Sequence, residues 1–257
     1  MGDVIQAPAT PRIPVRTGGI GFNGVPGEVP DGVPGEASGR TFPVRRVYCV
    51  GRNFADHARE MGAAAPAGKT NRGQPVFFLK PADALVTNGD VPYPPGTRDL
   101  HHEVELVVAL GTDAPAGILD PADAPSLVYG YGVGLDLTRR DLQAAAKAKG
   151  LPWDTGKSFD HAAPVSALMP AGEIDSLSGR TLSLAVNGEI RQSGSLDDLI
   201  WDVPDILHEL SRLYALRAGD LVFMGTPAGV GPLQPGDTFE AKLDGLPTLT
   251  GRILPAA

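Results

Sequence analysis

A single cysteine, Cys49, occurs in 257 residues. One cysteine can form neither an intrachain disulfide nor a multi-cysteine metal site, and such sparing use suits a reducing cytoplasm. Basic side chains are also scarce: 22 lysines and arginines face 30 aspartates and glutamates, for a net charge of −8. That balance, without a basic run, speaks against nucleic acid or an anionic membrane surface as partner. No apolar stretch approaches the ~20 residues that span a bilayer, and the N-terminus lacks the apolar centre of a secretory leader. A Gly-x-Ser-x-Gly elbow, a lysine-bearing phosphate loop and a Cys-x-x-Cys pair are all missing, so a serine or cysteine nucleophile has no support.

What abounds is glycine, 33 residues, and proline, 25. Both interrupt helices and favour turns, which predicts short strands and irregular connections in place of a helical bundle. Hydrophobic residues at 42% and charged residues at 20% supply a sizeable core. The length suggests one core domain with an appendage.

The appendage is expected at residues 1–42, a Gly/Pro-rich arm preceding a core domain at 43–257. Its segment GGIGFNGVPGEVPDGVPGEASG holds Gly19, Gly21 and Gly24 at Gly-x-Gly-x-x-Gly spacing. A dinucleotide fingerprint needs a strand before it and a helix after it, whereas Pro26 follows here and no helical pattern appears. The spacing is read as chance, and the arm as extended on the surface or partly disordered.

From Arg46 onward the pattern changes. RVYCVG reads as a buried strand closed by Gly51. NFADHAREMG reads as a short helix capped by Asn53 and stopped by Gly62. PVFFLKP (75–81) reads as a second buried strand. HHEVELVVAL (101–110) has period two, with Glu103 and Glu105 on one side and Val104 and Leu106 on the other. VYGYGVGLDLT (128–138) is strand-like and ends in the polar Asp136. Residues 139–150 favour a helix. TLSLAVNGEIRQ predicts a hairpin at Asn187-Gly188. A helix from about Pro204 places Ile206, Leu207, Leu210 and Leu213 on one face. A strand at 220–223 runs into a Gly/Pro-rich loop, and two strands close the chain around Asp244-Gly245. The fold class is α+β, mostly β: a roll or barrel.

Two carboxylates on one face of an apolar strand repel each other and are costly to desolvate. Either that face is solvated, or a cation neutralises Glu103 and Glu105. Oxygen-only ligation with room for water suits Mg²⁺ (or Mn²⁺) better than Zn²⁺. Asp136, closing another apolar run, is a candidate third ligand, although sequence alone does not bring it to the pair. His57 and Glu60, three apart, share a helix face, and a carboxylate-oriented histidine is a sound general base; alone, the pair reads equally as exposed surface. His101 shares a face with Glu103 and is read as packing or support; His102 faces away. Lys157, Arg140 and Gln143 could hold an anionic substrate, and the loop MGTPAGVG could present Thr226 and backbone N–H groups to one.

The stretches CVGRNFADHAREM, PVFFLKPADALV, LHHEVELVVAL, GLDLTRRDLQ, GLPWDTGKSFDHAAPVS, VNGEIRQ and GDLVFMGTPAGVGPL follow in order. In them the chain resembles the fumarylacetoacetate hydrolase family, and within it the short acylpyruvate (fumarylpyruvate) hydrolase branch, over roughly residues 43–254. The resemblance implies a mixed β-sandwich roll of that family's C-terminal domain type, usually dimeric. It implies Mg²⁺ or Mn²⁺ on Glu103, Glu105 and Asp136, catalysis by His57, Glu60 and Lys157, and substrate binding by Arg52, Asn53, Arg140, Gln143 and Thr226. It also implies that the His57 helix closes over substrate. Gly156 stands where alanine is usual and Met224 where threonine is usual. The implied reaction is C–C hydrolysis of a 2-oxo acid, fumarylpyruvate to fumarate and pyruvate. Oxaloacetate decarboxylation, an isomerisation, or metal binding without turnover are the alternatives.

Overall fold

The computed structural model describes residues 9–16, 37–60, 72–87 and 89–256. The three glycines at 19, 21 and 24 and the predicted helix stop at Gly62 lie outside the described residues. Within them the fold is α+β and mostly β. Its centre is a six-stranded mixed sheet in the order Met169–Pro170, Val128–Leu135, Val104–Leu110, Asp220–Phe223, Arg46–Gly51, Val76–Lys80. A five-stranded sheet runs Glu189–Ser195, Thr181–Val186, Thr238–Leu243, Leu249–Leu254, Asp90–Pro92.

The six-stranded sheet is covered on both faces, which is why its inner strands read as continuous apolar runs. Tyr48, Val50, Leu106 and Val108 point into the core shared with Leu182, Leu184, Phe239 and Ala241 of the five-stranded sheet. The alternate residues Val47, Cys49, Val107 and Ala109 point into a second core. All seven residues of Val104–Leu110 are buried, and Glu103 with them, so of the two readings of the Glu103–Glu105 face the solvated one falls.

The second core corrects the reading of the arm. Arg12–Arg16 pairs antiparallel with Ala37–Pro43, and Ile13 and Val15 are fully buried beside Phe42 and Leu168. The Leu168 N–H donates to the Pro14 carbonyl at 2.9 Å, joining this ribbon to the body of the fold. The alternation Ile-x-Val in RIPVR carries the burial, a pattern too short to stand out within a Gly/Pro-rich segment.

Other expectations hold with adjustments. The Asn187-Gly188 turn has φ of 53° and 80°, the two left-handed residues of a tight hairpin. The helix Val203–Ser211 is capped by Asp202 and buries Ile206, Leu207 and Leu210; Leu213 lies beyond its end and is exposed. Val76–Lys80 is an edge strand, and Lys80 is its one buried residue. Asn53 does not cap the short helix, which runs Ala55–Glu60. Its carboxamide instead donates to the Met224 and Trp201 carbonyls at 2.7 and 2.9 Å and accepts from the Trp201 N–H at 2.8 Å.

Candidate active site

The acid-bearing segment is not one strand. Leu100–His102 belongs to a small sheet with Thr138–Arg139 and Gly231–Leu233, while Val104–Leu110 belongs to the six-stranded sheet; Glu103 occupies the break. Asp136 occupies the matching break between Val128–Leu135 and Thr138–Arg139. The antiparallel register sets Val104 opposite Leu135, and the Asp136 N–H donates to the Glu103 carbonyl at 2.8 Å. Glu105 lies opposite Gly134, where a Cβ would come within 2.5 Å of the Phe223 ring. Glu103, Glu105 and Asp136 thereby converge, all buried, each with an oxygen within 4.8 Å of the others.

Cations ring this cluster. Lys157 Nζ donates to Glu103 at 2.9 Å, to Asp136 at 2.5 Å and to the Thr138 hydroxyl at 2.7 Å. Arg140 donates to Glu103 at 2.5 Å and to Gln143 at 2.6 Å, and its Nε donates to His101 Nδ1 at 3.3 Å. Lys80 Nζ lies 2.8 Å from Asp136 Oδ1, at an angle that makes no hydrogen bond, so that buried oxygen accepts none. Glu105 accepts the Gly225 N–H at 2.7 Å.

The electrostatic consequences separate the two glutamates. Burial opposes ionisation of Glu103, but Lys157, Arg140 and His57 overcome it and hold the carboxyl well below the usual range. Burial, then repulsion from Asp136 and Glu103, pushes Glu105 well above it. Burial also works against the Lys157 ammonium, yet Asp136 and Glu103 raise its pKa. Three hard oxygen donors in a buried cluster, one acid short of a counter-charge and one buried oxygen accepting no hydrogen bond, fit a small divalent cation of the Mg²⁺ or Mn²⁺ type.

His57 is 5% exposed and shares a cavity wall with Glu103, Glu105 and Lys157. Its Nδ1 sits 3.3 Å from Glu60, which also accepts the Gly229 N–H at 3.3 Å. Burial lowers the imidazole below its ordinary value against the pull of Glu103 and Glu60, so it is a neutral base near pH 7. The space among these side chains is about 20 Å³, room for one water. Arg52, Arg140, Gln143 and Thr226 line the same cavity. Asn53 is fully buried beside it and ties the loop after Phe223 to the segment before the His57 helix. The roomier cleft of about 570 Å³ walled by Leu106, Tyr131 and Leu199 includes Asp197 and Asp202 but no histidine, lysine or arginine.

Residues 46–254 match the family model of the fumarylacetoacetate (FAA) hydrolase C-terminal domain. The chain belongs to the fumarylacetoacetate hydrolase family. A fumarylpyruvate hydrolase from Pseudomonas aeruginosa, whose crystal structure is a complex with Mn²⁺ and pyruvate, is 41% identical, with TM-score 0.81; the match covers 98% of this chain and all of that one. The oxaloacetate tautomerase YcgM of Escherichia coli strain K12 is 41% identical over 83% of this chain and 94% of its own. The mitochondrial oxaloacetate tautomerase FAHD1 of Bos taurus is 43% identical over 79% of this chain and 88% of its own. The acid cluster and the His57–Glu60 pair thus sit in an enzyme of the fumarylacetoacetate hydrolase family.

Five residues of this family member's cavity region escaped the sequence reading. Lys80 was visible as a cation closing an apolar run, the same signal that marked Asp136. Lys147 follows Arg140 and Gln143 at helical spacing. Trp153, with Phe78, walls the cavity, and a tryptophan beside a lysine-bearing turn gives no specific cue. Gln192 accepts the Val104 N–H at 3.1 Å, sits 2.9 Å from His102 Nδ1 and donates to Thr226 at 2.8 Å; nothing in VNGEIRQ announces such a junction. Gly156 lets its turn approach Gln143, whose backbone N would lie 2.9 Å from an added Cβ.

Proposed function

We propose that this chain is a divalent-metal-dependent hydrolase of acylpyruvates, converting fumarylpyruvate to fumarate and pyruvate. The observation that carries the reading is the placement of His57, buried, neutral and oriented by Glu60, on the same cavity wall as Glu103 and Glu105. Glu103, Glu105 and Asp136 would hold the ion, which supplies Lewis-acid charge beside the oxygens of a 2-oxo acid. His57 takes a proton from water, and the hydroxide oxygen bonds to the distal carbonyl carbon. The C–C bond on the pyruvate side then breaks, its electron pair forms the pyruvate enolate, and a proton from His57 yields pyruvate. Glu60 fixes the imidazole tautomer and stabilises its charged form. Arg140 and Lys157 add positive charge where the enolate forms. The P. aeruginosa fumarylpyruvate hydrolase supports this choice because its match covers 98% of this chain. The same reading takes the enzyme to be a cytoplasmic homodimer whose His57 helix closes over substrate.

A second reading follows from the E. coli and bovine relatives, which are named oxaloacetate tautomerases. That reaction moves a proton at C3 and needs no attacking water. Purified enzyme with Mg²⁺ should release fumarate and pyruvate from fumarylpyruvate, and His57→Ala should lower turnover about 10²–10⁴-fold without loss of metal stoichiometry. Enol–keto exchange of oxaloacetate with no pyruvate from fumarylpyruvate decides for the second reading. Since the active imidazole must be neutral, the acid limb of kcat/KM should lie below the ordinary histidine value of 6.5.

A further inference from the structure

The helix Arg140–Ala148 places Arg140, Gln143 and Lys147 at i, i+3 and i+7, one face, and all three line the cavity. Arg140 is engaged with Glu103 at the inner end. Lys147 lies about 10 Å further along the helix axis, its ammonium 5.1 Å from the centre of the Trp153 ring. Arg52 lines the same cavity from the opposite element. Its φ of 60° is a left-handed conformation that side chains other than glycine seldom adopt, held at the turn between Arg46–Gly51 and the His57 helix. Among the described residues neither Arg52 nor Lys147 is ion-paired; Arg140, Lys157 and Lys80 take the ion pairs of Glu103 and Asp136. Burial, then the nearby Arg140 and Arg52, depresses the Lys147 pKa, as expected of cations sharing one volume.

The cavity therefore has two unlike ends: acids that fit a metal, and beyond them two cations without an acid. The space among these side chains admits about one water, so a diacid enters only when the lining side chains part; with its 2-oxo-acid head at the acids, its tail then reaches those cations. We propose that Lys147 and Arg52 form a second anion subsite that binds the terminal carboxylate of a dicarboxylic acylpyruvate. The carboxyl carbons of fumarylpyruvate are six bonds apart, about 7 Å when extended, against three bonds and about 3.5 Å in oxaloacetate. A subsite two helical turns from Arg140 suits the longer diacid. The proposal rests on the hydrolase reading and adds a preference for charged over neutral acyl groups.

The test compares fumarylpyruvate with acetylpyruvate, which lacks the terminal carboxylate. Wild-type enzyme with Mg²⁺ should favour fumarylpyruvate in kcat/KM. Lys147→Met and, independently, Arg52→Met should each lower that ratio about tenfold or more, through KM for the diacid, and Lys147→Arg should restore most of it. An unchanged ratio in both methionine variants overturns the subsite. Wild-type enzyme that releases pyruvate from neither compound overturns the hydrolase reading alone. Calorimetric affinities of the Mg²⁺-loaded protein for the two compounds then decide: tighter binding of the diacid, lost in Lys147→Met, supports the subsite, and equal affinities overturn it.

Discussion

Glu105 is the least compensated of the three acids: it accepts one backbone N–H, while Lys157 serves Glu103 and Asp136. Its raised pKa means that the metal-free protein keeps a proton there above the ordinary carboxylate value of 4.5. An ion must expel that proton. Mg²⁺ affinity should therefore rise with pH through this range, and calorimetry in buffers of different ionisation heats should detect proton release on binding. No buffer dependence would show that Glu105 is ionised beforehand. Lys80 is equally exacting. Removing one partner of a buried ion pair leaves the other uncompensated, so Lys80→Met should destabilise the metal-free protein by about 3–5 kcal/mol in denaturant unfolding. A cost below about 1 kcal/mol would mean that Lys157 alone balances Asp136. Each of these residues could be singled out in the sequence as a charge inside an apolar run; which charge meets which could not.

At the scale of elements, the loop between Asp220–Phe223 and Gly231–Leu233 joins the two halves of the site. Gly225 holds Glu105 and Gly229 holds Glu60, both through backbone N–H groups. Gly229 has φ of 94°, and an added Cβ would fall 2.2 Å from the Arg191 carbonyl oxygen. Gly229→Ala should therefore cost about 1–3 kcal/mol and lower kcat more than it changes KM, because relieving the clash moves the backbone N–H of position 229 away from Glu60 and His57 loses its orientation. Thermal unfolding and steady-state kinetics on one preparation check both effects. Sequence periodicity located this loop as Gly/Pro-rich but not its function, since backbone donors leave no side-chain signature. The same limit explains Glu103. Period two predicts a continuous strand over 101–110, and the break appears only when Leu100–His102 pairs with Thr138–Arg139 and Val104–Leu110 pairs with Val128–Leu135. Asn53 shows the reverse case: a good capping residue by type, drawn away by backbone partners 148 and 171 positions distant.

For the whole molecule, the acid cluster links stability to metal and pH. A carboxyl with a raised folded pKa gives stability below its unfolded value that is lost as pH rises through the folded one. For Glu105 that window opens at 4.5 and extends upward. Glu103, shifted the other way, supplies stability present above 4.5 that is lost progressively as pH falls below 4.5 into strong acid. Metal-free protein should thus lose Tm as pH rises above 4.5, and Mg²⁺ should raise Tm and flatten that slope. If chelator leaves both Tm and turnover unaltered, the cluster does not bind the ion. The N-terminal ribbon also belongs to this scale, because Ile13, Val15 and Phe42 complete the second core.

Taken by itself, the sequence determined the chemistry of the parts and their order: short strands from abundant glycine and proline, the Asn187-Gly188 turn, the apolar runs and the charges within them. These follow from local propensity and from the cost of burying charge, both properties of neighbouring residues. Only the tertiary structure decided that the breaks at Glu103 and Asp136 coincide, that His57 faces them, and that Lys80, Lys147 and Gln192 belong to the same neighbourhood. Those facts depend on strand order and register between segments far apart in the chain. There, burial of two hydrophobic cores on either side of one sheet sets the geometry, and no local pattern records it.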